Sequence, residues 1–283
     1  MIQKADKSTG PVPAAYRTRY SGFSLTEVLV AAGILTVGMM LVLTLFPLGI
    51  QLTAETVKQN MASVVASEAF AKVRLHIVNV ESFIDANDDT EKTELFDNAA
   101  GGGVNIRDWD FYYPSTPLRA ADASDQPESS RYFWSALIRP VNPQTGIFQV
   151  TVLVFYRQDM QSEFYTETGT DDELELIEVS VTDPGMVDIE SWLEYGGDHW
   201  LITEDSPIID SKTGRIYRVM EKRVENNDAV FRIDRGWVER YGDPDQSSTN
   251  SDLPADVWIV PPPVGASGTN CIGVFQRVMS VEN

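Results

Sequence analysis

Gly22-Phe23-Ser24-Leu25-Thr26-Glu27-Val28-Leu29-Val30-Ala31 opens the stretch that decides how this chain is organised. Glu27 is the last charged residue for a long way. From Val28 to Ala54 there are 27 positions without a charge. As a helix that run is about 40 Å long, more than the roughly 30 Å of a bilayer's hydrocarbon core. A helix that is apolar all round for this length is a membrane span or a deeply buried element, not an ordinary surface helix. Arg17 and Arg19 stand just before it. The positive-inside rule then places the N-terminus in the cytoplasm and everything after the span outside. The run is too long for the core of an ordinary secretory signal, and no small-residue cleavage site follows it.

The segment resembles the class III (prepilin) signal of type IV pilins and type II secretion pseudopilins. It carries Gly22, Phe23, Glu27 and the long apolar helix in one register, and the likeness covers about residues 17–76. The resemblance implies that a prepilin peptidase cuts between Gly22 and Phe23, and that Phe23 is then N-methylated. It implies that Glu27, at the fifth mature position, acts in assembly. Physics agrees with that role. A carboxylate one turn into an apolar span costs a few kcal/mol unless paired. The new amine on Phe23, charged near neutral pH, is the matching partner on a neighbouring subunit. The alternative is an interfacial Glu27 without a partner. Pro47 and Gly49 interrupt the span. Proline removes the hydrogen bond to the Leu43 carbonyl, so a kink is expected there.

Beyond Gln51 the pattern becomes amphipathic. Ala62, Val65, Ala66, Ala69, Val73 and Ile77 recur at three- and four-residue spacings on one face, with Asn60, Ser63, Ser67 and Arg74 on another. The expected organisation has four parts: a cytoplasmic leader over residues 1–22, a long helix over 23–80 with its first half transmembrane, a variable loop region over 81–130, and an extracytoplasmic β-rich head over 131–283. The loop region is rich in polar turn clusters. From Tyr132 onward, runs rich in Val, Ile, Phe, Tyr and Trp predict strands at Tyr132–Arg139, Ile147–Arg157, Leu174–Thr182, His199–Thr203, Arg215–Glu221, Ala229–Arg235, Val257–Val260 and Cys271–Ser280. Ile147–Tyr156 lacks clean alternation and reads as buried on both faces. Ser211–Arg215 reads as a hairpin turn with Gly214 at positive φ. The fold class is therefore α+β: a long N-terminal transmembrane helix packed against a C-terminal antiparallel β domain, pilin-like. The head divides into two sublobes if the chain breaks near Thr182–Met186.

Composition narrows the function. The net charge is −20, yet residues 1–22 carry +3. The acidic remainder repels phosphates, so nucleic acid is not expected as a general partner. The lone cysteine, Cys271, cannot form an intramolecular disulfide and reads as a small core residue. His76 and His199 are far apart and fit no metal spacing. No phosphate-binding loop, dinucleotide turn or nucleophile elbow is present, so no enzymatic role is expected. No cofactor is expected either. Calcium is the one candidate ion. Asp85, Asn87 and Asp89 have the start of an EF-hand spacing, but Thr90 and Phe96 stand where Gly and Glu are required. Asp243, Asp245 and Asp252 are the alternative cluster, otherwise a solvated acidic loop.

The resemblance implies a structural subunit of a type IV pilus or type II secretion-like filament, with a large head of the minor pilin or pseudopilin kind. Its partners would be other pilin or pseudopilin subunits, the prepilin peptidase, and the inner membrane with its assembly platform. It would sit in the bacterial inner membrane as a single-pass protein and move into a pilus or pseudopilus on assembly. The competing reading is a membrane-tethered binding module or adhesin that uses a pilin-type anchor. In that case Trp192, Trp200, Trp237 and Trp258 would contact sugar, surface or cargo. Otherwise these tryptophans are strand and core residues.

Overall fold

The computed structural model describes residues 22–77, 93–96, 111–113, 131–142, 146–157, 162–166, 169–171, 174–182, 192–225, 228–235, 255–266 and 268–280. The chain divides into two units, Met1–Ala54 and Glu55–Asn283. One helix, α1, runs from Leu25 to Ile77, 53 residues, and passes through Pro47 without a break. A long apolar N-terminal helix and an antiparallel β domain make this an α+β, pilin-like fold.

In the second unit α1 packs on a sheet. That sheet contains β1 (Glu94–Leu95), β2 (Tyr112–Tyr113), β3 (Tyr132–Asn142), β4 (Ile147–Tyr156) and β13 (Cys271–Ser280). Its order is β1-β3-β4-β13, with β2 also on β3, and its pairs are antiparallel. Period-two alternation sorts the side chains by face. Trp134, Ala136, Ile138, Phe148, Val150, Val152 and Val154 form one core with Ala62, Val65, Ala66, Ala69, Phe70 and Val73 of the helix. The spacing of the small apolar residues on α1 thus marks its buried stripe. Phe70, which that spacing left out, is buried with them and is covered by the Arg277 guanidinium at 4.5 Å.

The intervening residues of the sheet point the other way. Phe133, Leu137, Leu153 and Phe155 meet Phe164, Leu176, Ile209 and Val260 in a second core. This explains why β4 is apolar without alternation: both of its faces are covered.

The second core leads to a further sheet that lies wholly between β4 and β13 in sequence. Its strands are β7 (Ile177–Val181), β8 (Trp192–Tyr195), β9 (Pro207–Asp210), β10 (Ile216–Glu225), β11 (Asp228–Ile233) and β12 (Ala255–Ile259), in the order β7-β12-β9-β10-β11-β8. Its two ends meet. Thr182 N donates to Glu194 O at 2.9 Å and Glu194 N donates back to Thr182 O at 2.8 Å. The six strands therefore close into a small barrel, which removes the open edges. Alternate residues fill its interior: Val179, Val181, Leu193, Ile208, Tyr217, Val219, Phe231, Val257 and Ile259 among them. A small hairpin, β5 (Phe164–Thr166) with β6 (Gly169–Asp171), lies on the connection from β4.

The turn between β9 and β10 locks barrel to sheet. Asp210 is buried, and its carboxylate accepts from Lys212 N at 2.9 Å and from the Thr213 hydroxyl. Gly214 has φ 65°, as the turn requires. Its carbonyl accepts from Gln276 Nε2 at 2.8 Å and from Gln149 Nε2 at 3.3 Å, both on the first sheet. A Cβ on Gly214 would lie 2.9 Å from Gln149 Nε2, so a side chain here would disturb the junction as well as the turn.

One expected strand is corrected. His199–Leu201 is a 3-10 turn, closed by Leu201 N donating to Asp198 O at 3.0 Å. Gly196 and Gly197 end β8 just before it, and the aromatic and aliphatic side chains that suggested a strand instead cap the barrel core through Leu201 and Ile202. The short strands β8 and β9 escaped the sequence pattern because four residues give too little periodicity.

Candidate assembly site

The N-terminus of α1 is built by its own sequence. Ser24-Leu-Thr-Glu27 has the spacing of a capping box. The Glu27 amide donates to Ser24 Oγ at 3.3 Å and to Ser24 O at 3.0 Å, and Val28 N donates to Ser24 O at 3.2 Å. Ser24 also meets Thr26 Oγ1 at 3.0 Å. Helix begins at Leu25, so the Gly22–Phe23 peptide lies in non-helical chain. Phe23 is 81% exposed, and nothing lies within 4 Å of where a Gly22 Cβ would be. An accessible bond outside the helix is open to a protease.

Glu27 is exposed, and among the described residues it forms no ion pair. Its place in the first turn is favourable for an acid because of the helix dipole, by about 0.3–1 kcal/mol. That is less than the cost of burying it in hydrocarbon.

From Phe23 to Leu52 the large apolar side chains are 50–81% exposed. The helix is long and apolar enough to cross a membrane. Thr36, Thr44 and Thr53 do not spoil this, because their hydroxyls donate to the carbonyls of Ala32, Leu41 and Gly49. Pro47 lies inside the helix and withholds a donor from Leu43. Gly49 opens a shallow apolar groove lined by Val42, Leu45, Phe46, Ile50, Thr53 and Ala54.

The family model for the prokaryotic N-terminal methylation motif matches residues 17–43. This chain carries a pilin-type signal. No curated protein and no solved structure matches it. The motif brackets Gly22, Phe23 and Glu27, and it ends before Pro47 and Gly49. It implies processing by prepilin peptidase and assembly with other pilin subunits, and with the apolar helix it fits membrane anchoring. The match starts before α1 and ends within it, at residue 43; the head carries no match of its own.

The head offers little chemistry. Among the described residues no group of three or more His, Cys, Asp or Glu side chains could hold a metal. Asp243, Asp245 and Asp252, like Asp85, Asn87 and Asp89, lie outside the described residues, as does Trp237. Trp192 is buried beneath Arg223, whose guanidinium lies 4.8 Å from its ring. Trp258 is half-buried and donates to Thr93 O at 3.1 Å. Trp200 is 39% exposed, beside His199 and Tyr165 at centroid distances of 5.1 and 6.2 Å.

Cys271 keeps some surface, but its thiol is enclosed and its sulfur contacts Gly273 O at 3.6 Å. Burial pushes the thiol pKa up to about 12, against small lowering contributions from that contact and from Arg218. A thiol this reluctant to ionise is inert toward alkylation near neutral pH. It also makes the head sensitive to alkali. The folded pKa lies above the unfolded value of about 8.5, so the thiol's contribution is complete below that pH and is lost as pH rises toward 12. Between pH 8.5 and 10.5 the stability of the parent chain should fall about 2 kcal/mol further than that of Cys271→Ala. Denaturant melts of both at each pH measure this, and parallel slopes would refute it.

Proposed function

We propose that this chain is a structural subunit, a minor pilin or pseudopilin, of a type IV pilus or type II secretion-like filament. The observation that carries the proposal is the coincidence of three features at one helix start: the methylation motif, an accessible Gly22–Phe23 bond, and an exposed helical run, uncharged from Val28 to Ala54, with Glu27 just before it. Cleavage frees the Phe23 amine, methylation modifies it, and Glu27 of one subunit pairs with Phe23 of the next. The helix first holds the subunit in the inner membrane, N-terminus inside and head outside, and then enters the filament. The role is assembly rather than catalysis. A large head built from a sheet and an inserted barrel suits a low-copy subunit, because bulky heads crowd a helical lattice. The exposed Trp200, with Tyr165 and His199 beside it, favours a second reading, a tethered binding module on a pilin-type anchor.

The test is the mature N-terminus, determined by mass spectrometry on protein from cells with and without the prepilin peptidase. The expected result is a start at N-methyl-Phe23 with the peptidase and at Met1 without it. An uncut chain in peptidase-positive cells, or a cut downstream of residue 45, would overturn the filament reading.

A further inference from the structure

Lys58 stands four positions beyond Ala54, the last residue of the uncharged run. That is about 6 Å along a helix axis, and the headgroup layer on each side of a bilayer is roughly 5–7 Å deep. The Lys58 Nζ lies 4.8 Å from the centre of the Tyr156 ring, and it reaches Glu55 only at 4.0 Å. Tyr156, in the last position of β4, pairs with Tyr132, the first residue of β3, and their rings are 5.3 Å apart. The exposed Arg131 donates to the Tyr156 hydroxyl at 3.3 Å. Burial, and then Tyr156, raise the pKa of Tyr132, so its phenol stays a neutral donor. Among the described residues, one end of the sheet thus gathers two cations and two phenols, with the Glu55 carboxylate beside Lys58, in a chain of net charge −20.

We infer that Lys58, Arg131, Tyr132 and Tyr156 dock this end of the head onto the headgroup layer of an anionic bilayer. The inference rests on the reading of Val28–Ala54 as a membrane span. Tyrosine rings with an apolar body and a polar tip settle at the membrane interface, and Lys and Arg extend their stems there while keeping the charge wet. Anionic lipids attract each cation, worth roughly fivefold in affinity apiece. The remainder of the acidic head is repelled by the same surface, so the contact orients the head and does not flatten it. The contact belongs to the membrane-held subunit and is given up on entry into the filament.

The test is amide hydrogen exchange on the full chain in lipid nanodiscs of phosphatidylcholine alone, or with phosphatidylglycerol. In the anionic discs, peptides covering 131–133 and 155–157 should exchange up to roughly thirtyfold more slowly. The protection should disappear in 1 M salt, where the screening length is about 3 Å, and in the double variant Lys58→Glu/Arg131→Glu. Arg131 is exposed and Lys58 half-buried, and the thermal melt of the variant confirms that it folds. Equal exchange in both disc types would overturn this inference and leave the span intact. A chain that fails to co-elute with the discs would overturn the span itself.

Discussion

Val65→Asp should abolish the cooperative unfolding transition of the head, whereas Val64→Asp, one position away, should leave it nearly unchanged. Val65 is 0% exposed, in the core that joins α1 to the first sheet; Val64 is 48% exposed and lies outside that core. The Val65→Asp variant loses the burial of a valine, about 1.5–3 kcal/mol. It also places a carboxylate in a core built mainly of Ala, Val, Ile, Phe and Trp side chains. That costs several kcal/mol more, whether the group stays charged or is forced to take up a proton. Against a total of about 5–15 kcal/mol for a typical domain, the sum is enough to unfold it. The readout is the near-ultraviolet dichroism and thermal melt of the full chain in detergent, because Trp134 lies in the same core. A cooperative melt retained in Val65→Asp would mean that the helix–sheet core does not hold the head together. The far-ultraviolet signal of α1 should survive in part, since an apolar helix over Leu25–Ala54 is held by its own backbone hydrogen bonds in detergent.

The helix was legible in the sequence to within a few residues because two independent signals mark it: an uncharged run too long for an ordinary surface helix, and beyond it a stripe of small apolar residues at three- and four-residue spacings. Its buried stripe was legible because small residues recur every three or four positions. β4 was legible as a doubly covered strand from its apolar composition. What covers it was not. Ile208 and Ile209 are adjacent and equally apolar, yet one fills the barrel and the other the core against the first sheet. Nothing local distinguishes them, because the assignment is made by the pairing of β9 with β10 and β12. The barrel's closure rests on two hydrogen bonds between Thr182, just past β7, and Glu194 in β8. Such a contact leaves no periodic trace. His199–Leu201 reads as strand by residue type but follows two glycines, and the turn they allow decides its conformation. At the candidate assembly site, residue identities and spacing could be read from the chain alone. The structure added that the Gly22–Phe23 bond stays outside the helix, because the Ser24 cap starts the helix just beyond it.

Glu27→Ala should leave leader cleavage and membrane insertion intact while removing the protein from filaments. The two halves of this expectation have separate physical origins. The Gly22–Phe23 bond is exposed and non-helical, and the cap on the Glu27 amide comes from Ser24 through backbone and hydroxyl, so replacing the Glu27 side chain does not disturb the substrate of the peptidase. Insertion should improve slightly, since alanine spares the few kcal/mol of placing a carboxylate in hydrocarbon. Assembly is different. On the filament reading, Glu27 meets the charged amine of a neighbouring Phe23 in a dry environment, and deleting one partner of a buried pair costs about 3–5 kcal/mol because the other charge is stranded. That corresponds to a loss of roughly two to four orders of magnitude in the affinity for filament sites. Glu27→Gln tests charge against shape: it keeps the length and a hydrogen-bond acceptor, so it should remain as deficient as alanine if attraction between charges sets the register. The measurement compares sheared filaments with the membrane fraction by immunoblot, with the N-terminus of each variant checked for cleavage. Filament levels equal to the parent chain would show that Glu27 is an interfacial residue favoured only by its place at a helix N-terminus, and the register would then have to come from packing of the apolar helices alone.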